Sequence, residues 1–290
     1  AAPSSLAAAA APWRLPAPLS RTVTLATGGR LLVLGGLDAA GGSTAAVLSI
    51  QPSTGAVARA GRLRLPTHDA AGAILGGTAF VFGGGAAMSI DDVQAFRPGP
   101  GAGGEGGIAG HLPRPRSDVV AATSGAEAML AGGYDGQSAA LSVLATTDGS
   151  HFRVLGRLPH AVRYAAAAVL GRYLYVIGGE WSGRPVPYVQ RLDLATGGAA
   201  VVGGLAVPTG HAAALVLDGE LWVLGGRTAV GATDAILRMD PGGTGFQPAG
   251  RLPAPVSDAG AAVLGGVGYL LGGEGATALT TSVVELRPGR

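Results

Sequence analysis

The sequence predicts an all-β fold built from six four-stranded units, and three observations predict it. Six glycine pairs, Gly35-Gly36, Gly83-Gly84, Gly132-Gly133, Gly178-Gly179, Gly225-Gly226 and Gly272-Gly273, each close a short apolar run, at successive intervals of 48, 49, 46, 47 and 47 residues. A period of that size marks stacked copies of one supersecondary unit. Within each period the chain divides into four brief apolar segments separated by turn residues, as short strands do. The composition agrees: 52 glycines among 290 residues, without collagen's every-third spacing, and only 5% aromatics suit tight turns and crowded backbones.

Unit four shows the plan most clearly. Residues 164–170 read as a first strand, Gly171-Arg172 as a tight turn, 173–177 as a second strand ending at the glycine pair, 188–194 as a third and 199–202 as a fourth. Unit one repeats it over 22–26, 30–34, 46–50 and 56–60. The first strands are made of small residues: AAGAIL from Ala70, VVAAT from Val119, AAAAVL from Ala165, AAALVL from Ala212 and AGAAVL from Ala259. Where four-stranded blades radiate from an axis, the innermost strand is the most crowded, and small side chains belong there. A helical reading of these runs fails, because each spans about six residues between glycine and proline punctuation, too few for a stable helix.

The sixth unit ends shortly after its third strand, SVVEL from Ser282. Pro12-Trp13-Arg14-Leu15-Pro16 resembles the GRLP segments at Gly156 and Gly250 that lead into new units, so the N-terminal segment is expected to complete the last blade and cover its free edge. Residues 1–11, AAPSSLAAAAA, read as a low-complexity tether ahead of a single domain over 12–290. A second strand ending in Gly-Gly and an LP-x-P-type link between units resemble kelch repeats. The resemblance implies a six-bladed β-propeller of four-stranded antiparallel blades. The Tyr and Trp that follow the glycine pair in most kelch units are largely missing, with Tyr134, Phe152 and Tyr188 as remnants.

Charge and cysteine content exclude several classes. The formal charge is +2, all twenty basic residues are arginines, and only Arg59, Arg62 and Arg64 sit close together. A nucleic-acid binder concentrates its cations in a patch, so nucleic acid is not an expected partner. With no cysteine there is no disulfide, thiolate nucleophile or cysteine-ligated metal. No apolar run is long enough to cross a bilayer as a helix, so membrane insertion is not expected. The beginning of the chain reads as a processed end without an intact signal peptide, and an exported, extracytoplasmic monomer is the expectation.

The first and second strands of an antiparallel unit put the start of one and the end of the other on the same face. Fourteen positions ahead of each glycine pair lie Arg21, Asp69, Asp118, Tyr164, His211 and Asp258, one polar residue per blade near the axis. Just after the pairs lie Leu37, Gly85, Tyr134, Glu180, Arg227 and Glu274. Convergent ionisable groups at the mouth of a closed β scaffold mark the place to seek a ligand. The candidate ligand-binding residues are therefore Arg21, Asp69, Asp118, Tyr134, Tyr164, Glu180, Trp181, His211, Arg227, Asp258 and Glu274. Trp181 stands either as a stacking platform or as a loop residue packed on its own blade. Arg21 and Arg227 are the natural anchors for an anionic group.

No metal site is expected, because Asp69, Asp118, His211 and Asp258 come from different blades without a ligand motif. No cofactor and no catalytic residue is assigned, since neither His68 nor His211 has a recognisable Ser or Cys nucleophile beside it. Residues 147–152, TDGSHF, suit an ordinary hairpin turn, and the glycine-rich stretch 98–107 reads as a flexible insertion in blade two. Two functional expectations follow. The first is a non-catalytic propeller whose axial face recognises a protein, peptide or glycan, as kelch propellers often do. The second rests on the resemblance to exported kelch proteins that include sialic-acid mutarotases: Glu180, near Arg227 and His211, would give acid and base assistance to sugar ring opening. The copper oxidases that share the scaffold need a cysteine joined to a tyrosine, which this chain lacks. A non-catalytic structural part of a larger exported assembly is a third possibility.

Overall fold

A computed structural model describes residues 4–99 and 103–289, and among them every regular element is a strand. Six antiparallel sheets succeed one another around an axis. Blade one comprises Val23–Thr27, Arg30–Leu34, Ala46–Gln51 and Ala56–Arg62; blade two Ala71–Leu75, Thr78–Phe82, Asp92–Phe96 and Gly107–His111; blade three Ser117–Ser124, Glu127–Tyr134, Ser142–Thr146 and Arg153–Arg157. Blade four comprises Ala166–Leu170, Tyr173–Ile177, Tyr188–Asp193 and Ala199–Gly204; blade five Ala213–Leu217, Glu220–Leu224, Ala235–Met239 and Phe246–Arg251; blade six Gly260–Leu264, Val267–Leu271 and Val283–Pro288. The first strands line the axis, and each touches the first strand of both neighbouring blades, blade six touching blade one. The fold is the expected all-β, six-bladed propeller.

The fourth strand of blade six is Leu6–Ala10, paired antiparallel to Val283–Pro288 from Leu6↔Pro288 to Ala10↔Val284. The N-terminal segment thus closes the ring as expected, but through residues assigned to the tether, which corrects that boundary. The reason is backbone chemistry: Pro12 and Pro16 have no N–H to give to a ladder, whereas each alanine of 7–10 does. Leu6 is buried among Leu215, Trp222 and Leu286, and Trp13 lies against Tyr269, their ring centroids 6.4 Å apart. The 98–107 insertion is also corrected in part. Gly104–Glu105 adds a fifth, parallel strand to blade one, and Gly107 opens the last strand of blade two; residues 100–102 lie outside the described ones.

There is no central core. Six apolar clusters occupy the six spaces between blades, for example Leu32, Leu34 and Val47 of blade one against Ala79, Val81 and Phe96 of blade two. Leu31 and Val33, on the opposite face of the same second strand, pack against Tyr269 and Leu271 of blade six. A strand buried on both faces reads as a continuous apolar run, which is why the second strands do not alternate. Trp222 in blade five is fully buried in this way.

The glycine pairs are the joints between blades. In each, both residues have positive φ, near 60° for the first and 81–108° for the second. The N–H of the second donates to a carbonyl of the next blade, that of Thr67, Arg116, Val162, Thr209, Val256 or Leu19, at 2.8–2.9 Å. A Cβ on the first glycine would lie 2.1–2.7 Å from that same carbonyl oxygen. Conformation and space together therefore exclude any other residue.

Candidate functional site

Two residues beyond each accepting carbonyl stands one of Arg21, Asp69, Asp118, Tyr164, His211 and Asp258, and all six have left-handed backbones, with φ between 51° and 57°. Their backbones form a closed collar. Arg21 N–H donates to Asp258 O, Asp69 to Arg21, Asp118 to Asp69, Tyr164 to Asp118, His211 to Tyr164 and Asp258 to His211, at 2.8–3.4 Å. The turn at this position also ends the strand, so the first strand of blade four starts at Ala166 rather than Tyr164. Asp and His tolerate the left-handed region; Arg and Tyr are strained there by roughly 1–3 kcal/mol, an outlier that points to use of their side chains. The six residues line an axial cavity of about 110 Å³.

Around the collar the charged groups are densely paired. Arg21 Nη1 donates to Asp69 Oδ2 at 3.1 Å and its Nε to Glu274 Oε1 at 3.1 Å. Arg227 Nη2 reaches Glu274 Oε2 at 2.6 Å and Asp258 Oδ2 at 3.5 Å. His211 is held between two carboxylates, Nδ1 to Asp258 Oδ1 at 2.6 Å and Nε2 to Glu180 Oε1 at 3.0 Å, and stacks on Tyr164 at 4.1 Å. Burial works against its charged form, but Asp258 and Glu180 outweigh that and raise its pKa. Burial alone would raise the Asp258 pKa, and the hydrogen bond from His211 lowers it below the usual range. A carboxylate oxygen, which only accepts, faces each ring nitrogen, so the geometry suits the doubly donating imidazolium.

Asp69 behaves differently. Burial pushes its carboxyl up to about 7, more than the neighbouring Arg21 guanidinium pulls it down. An acid whose pKa is raised on folding favours the native state while protonated, so its ionisation erodes stability as pH climbs from about 4 toward 7. Asp69→Asn is expected to match the wild type in Tm near pH 4 and to exceed it at pH 8 by the equivalent of about 2–4 kcal/mol, given ~1.4 kcal/mol per pKa unit. Equal melting of the two at pH 8 in a calorimeter contradicts this.

Beside the collar, between the mouths of blades two and three, opens a wider cavity of about 390 Å³ lined by Arg21, His68, Asp69, Ser89, Ser117, Asp118, Tyr134, Arg163 and Tyr164, with Met88 at its rim. Arg163 Nε donates to Asp118 Oδ2 at 2.5 Å, its Nη2 to Tyr164 Oη at 3.3 Å, and its Cζ lies 4.2 Å from the centroid of the Tyr134 ring. The Tyr164 hydroxyl is driven further from ionisation by burial and by Asp69 and Asp118. Among the described residues no group of three or more His, Asp or Glu is arranged to hold a metal ion.

Ten of the eleven residues singled out in the sequence come together in this mouth. Trp181 does not: it sits in the hairpin Glu180–Trp181/Arg184–Pro185 and is 61% exposed. Arg21 and Arg227, expected as anchors for an anionic group, each carry carboxylates of the protein itself. Sequence reasoning missed Arg163, Ser117 and Ser257, and gave His68 no role. They stand immediately ahead of the collar residues, at the position that pairs with the residue after a glycine pair, as Arg163↔Glu180 and Ser257↔Glu274 do. One step back from the fourteen-residue spacing would have found them. The TDGSHF loop is an ordinary turn, Asp148 Oδ1 accepting the N–H groups of Ser150 and His151.

A Kelch motif model matches residues 161–197, which hold the first three strands of blade four. Among solved structures, one titled "Structure of YjhT" superposes with a TM-score of 0.81 at 15% identity, covering 94% of this chain and 96% of that one. No curated protein matches the chain. With the motif in blade four, the same glycine-pair joint in the other five and the ring closed by Leu6–Ala10, this chain is a kelch-repeat six-bladed β-propeller.

Proposed function

We propose that this propeller is a binding module whose axial mouth receives the end of a glycan. The observation that carries the reading is the 390 Å³ cavity beside the collar. Its volume falls in the range of small-molecule sites, ~300–1,000 Å³. Its lining supplies what a saccharide needs: carboxylate oxygens to accept from hydroxyls, N–H groups of Arg163 to donate to them, and the rings of Tyr134 and Tyr164 as flat faces for C–H surfaces. The side chains are fixed in advance by ion pairs and by the collar, which lowers the ordering cost of binding. A peptide or protein bearing such groups would engage the same wall.

Titration of the full chain with a saccharide panel tests the reading. Arg163→Ala and Tyr134→Ala should each weaken the binding at least ~10-fold, the loss of one charge-assisted hydrogen bond or one ring face being worth about 1.4 kcal/mol or more. Affinity unchanged in both variants sinks the assignment to this cavity.

A second reading, acid–base assistance to sugar ring opening, is favoured by Asp69, a carboxyl held near 7 on the cavity wall. It requires the chain to accelerate anomer exchange of a bound reducing sugar and Asp69→Asn to abolish the acceleration; exchange at the buffer rate removes it.

A further inference from the structure

We propose that the axial mouth selects uncharged saccharides and rejects those carrying a carboxylate, sulfate or phosphate. The inference rests on the glycan reading above and deepens it. Its basis is the distribution of carboxylates. The chain has fewer acids than arginines, 18 against 20, yet Asp69, Asp118, Glu180, Asp258 and Glu274 all gather at this mouth. There they face only three arginines, Arg21, Arg163 and Arg227, and each arginine carries at least one carboxylate. His211, the fourth cation, is clamped between two. His68 adds no charge at neutral pH, because burial and Arg21 lower its pKa. Fully ionised, these groups sum to −1, and to zero with Asp69 protonated.

An arriving anion would have two courses. It could displace an existing carboxylate from its guanidinium, leaving a buried acid unpaired, or it could sit among acids without a partner. Either course carries the desolvation penalty of an uncompensated charge. A hydroxyl faces no such penalty, since it donates to a carboxylate oxygen and accepts from the arginine N–H that remains. The pairing is not forced by a general surplus of acids in the chain. In the crevice of about 560 Å³ at the opposite end of blades one and two, Arg30 and Arg59 have no ion-pair partner among the described residues. Arginines are left free there and neutralised here.

The test compares matched pairs differing only at C6, galactose with galacturonate and glucose with glucuronate, by calorimetric titration of the full chain. The neutral member should bind at least ~10-fold tighter, with an affinity that changes less than about twofold between low and high salt. Asp118→Asn, which frees Arg163 without altering side-chain size, should raise the ratio of uronate to neutral-sugar affinity at least ~10-fold. A uronate that binds the wild type as well as its neutral partner, with Arg163→Ala weakening both, overturns the charge selection while sparing the site. If neither member of either pair binds, or Arg163→Ala changes nothing, the glycan site itself is overturned, and this inference with it.

Discussion

Removing residues 1–11 is expected to abolish the single cooperative unfolding transition of the chain. The deletion leaves blade six with three strands and exposes the full edge of Val283–Pro288, which Leu6–Ala10 pairs along five residues. It also removes Leu6, 4% exposed, from the cluster between blades five and six. Loss of a buried leucine alone costs ~2–5 kcal/mol. An unpaired edge backed by apolar side chains then invites pairing with other chains. The truncated protein should elute as aggregate, and a synthetic peptide spanning residues 4–12 should restore the monomeric melt, because the closure is non-covalent. A truncated chain that stays monomeric and melts within a few degrees of the intact one would contradict this account of the ring.

Asp258→Ala should be the most damaging single change in the mouth. The Asp258 side chain is 4% exposed and meets His211 at 2.6 Å, Ser257 Oγ at 2.9 Å, Arg227 at 3.5 Å and Arg21 at 3.7 Å. Removing one partner of a buried ion pair typically costs ~3–5 kcal/mol, because the other charges stay behind uncompensated. At ~2–4 °C per kcal/mol for a chain of this size, the expected fall in Tm is about 6–20 °C. The pH dependence follows from the two shifts. The raised pKa of His211 gives stability that is full below the unfolded value and lost as pH rises through the folded one. The lowered pKa of Asp258 gives stability present above its unfolded value and lost as pH falls through the folded one. The gap between wild type and variant should therefore be widest at about pH 5–6 and narrow on both sides. A gap constant from pH 3 to 9 would mean that the Asp258–His211 pair is not its source.

The fold was legible because its joints are chemical. A glycine pair at each blade boundary is the only solution to two left-handed residues pressed against a neighbouring carbonyl, and the period of those pairs measures the blade. The collar was legible for the same reason: a fixed count back from each joint lands on the turn that opens the innermost strand. Arg163 stood one step back from that count and could have been found by it, but its contacts with Asp118 and the Tyr134 ring, brought from blade three, are not announced by spacing. The closing strand was misplaced because a run of alanines carries no alternation, and only its partner, Val283–Pro288, makes it a strand. How far Arg21 and Arg227 are open to a ligand was not legible either. Sequence shows that a cation is present, but whether a carboxylate already holds it depends on side chains brought from other blades.

Amide hydrogen exchange of the full chain, with and without saturating galactose or glucose, tests the central claim most directly. The account predicts slowed exchange in residues 85–89, 117–118, 134–136 and 163–164, the wall of the axial cavity, and none at the opposite end. Protection confined to the crevice of Arg30 and Arg59, or to the outer strands of the blades, would contradict it.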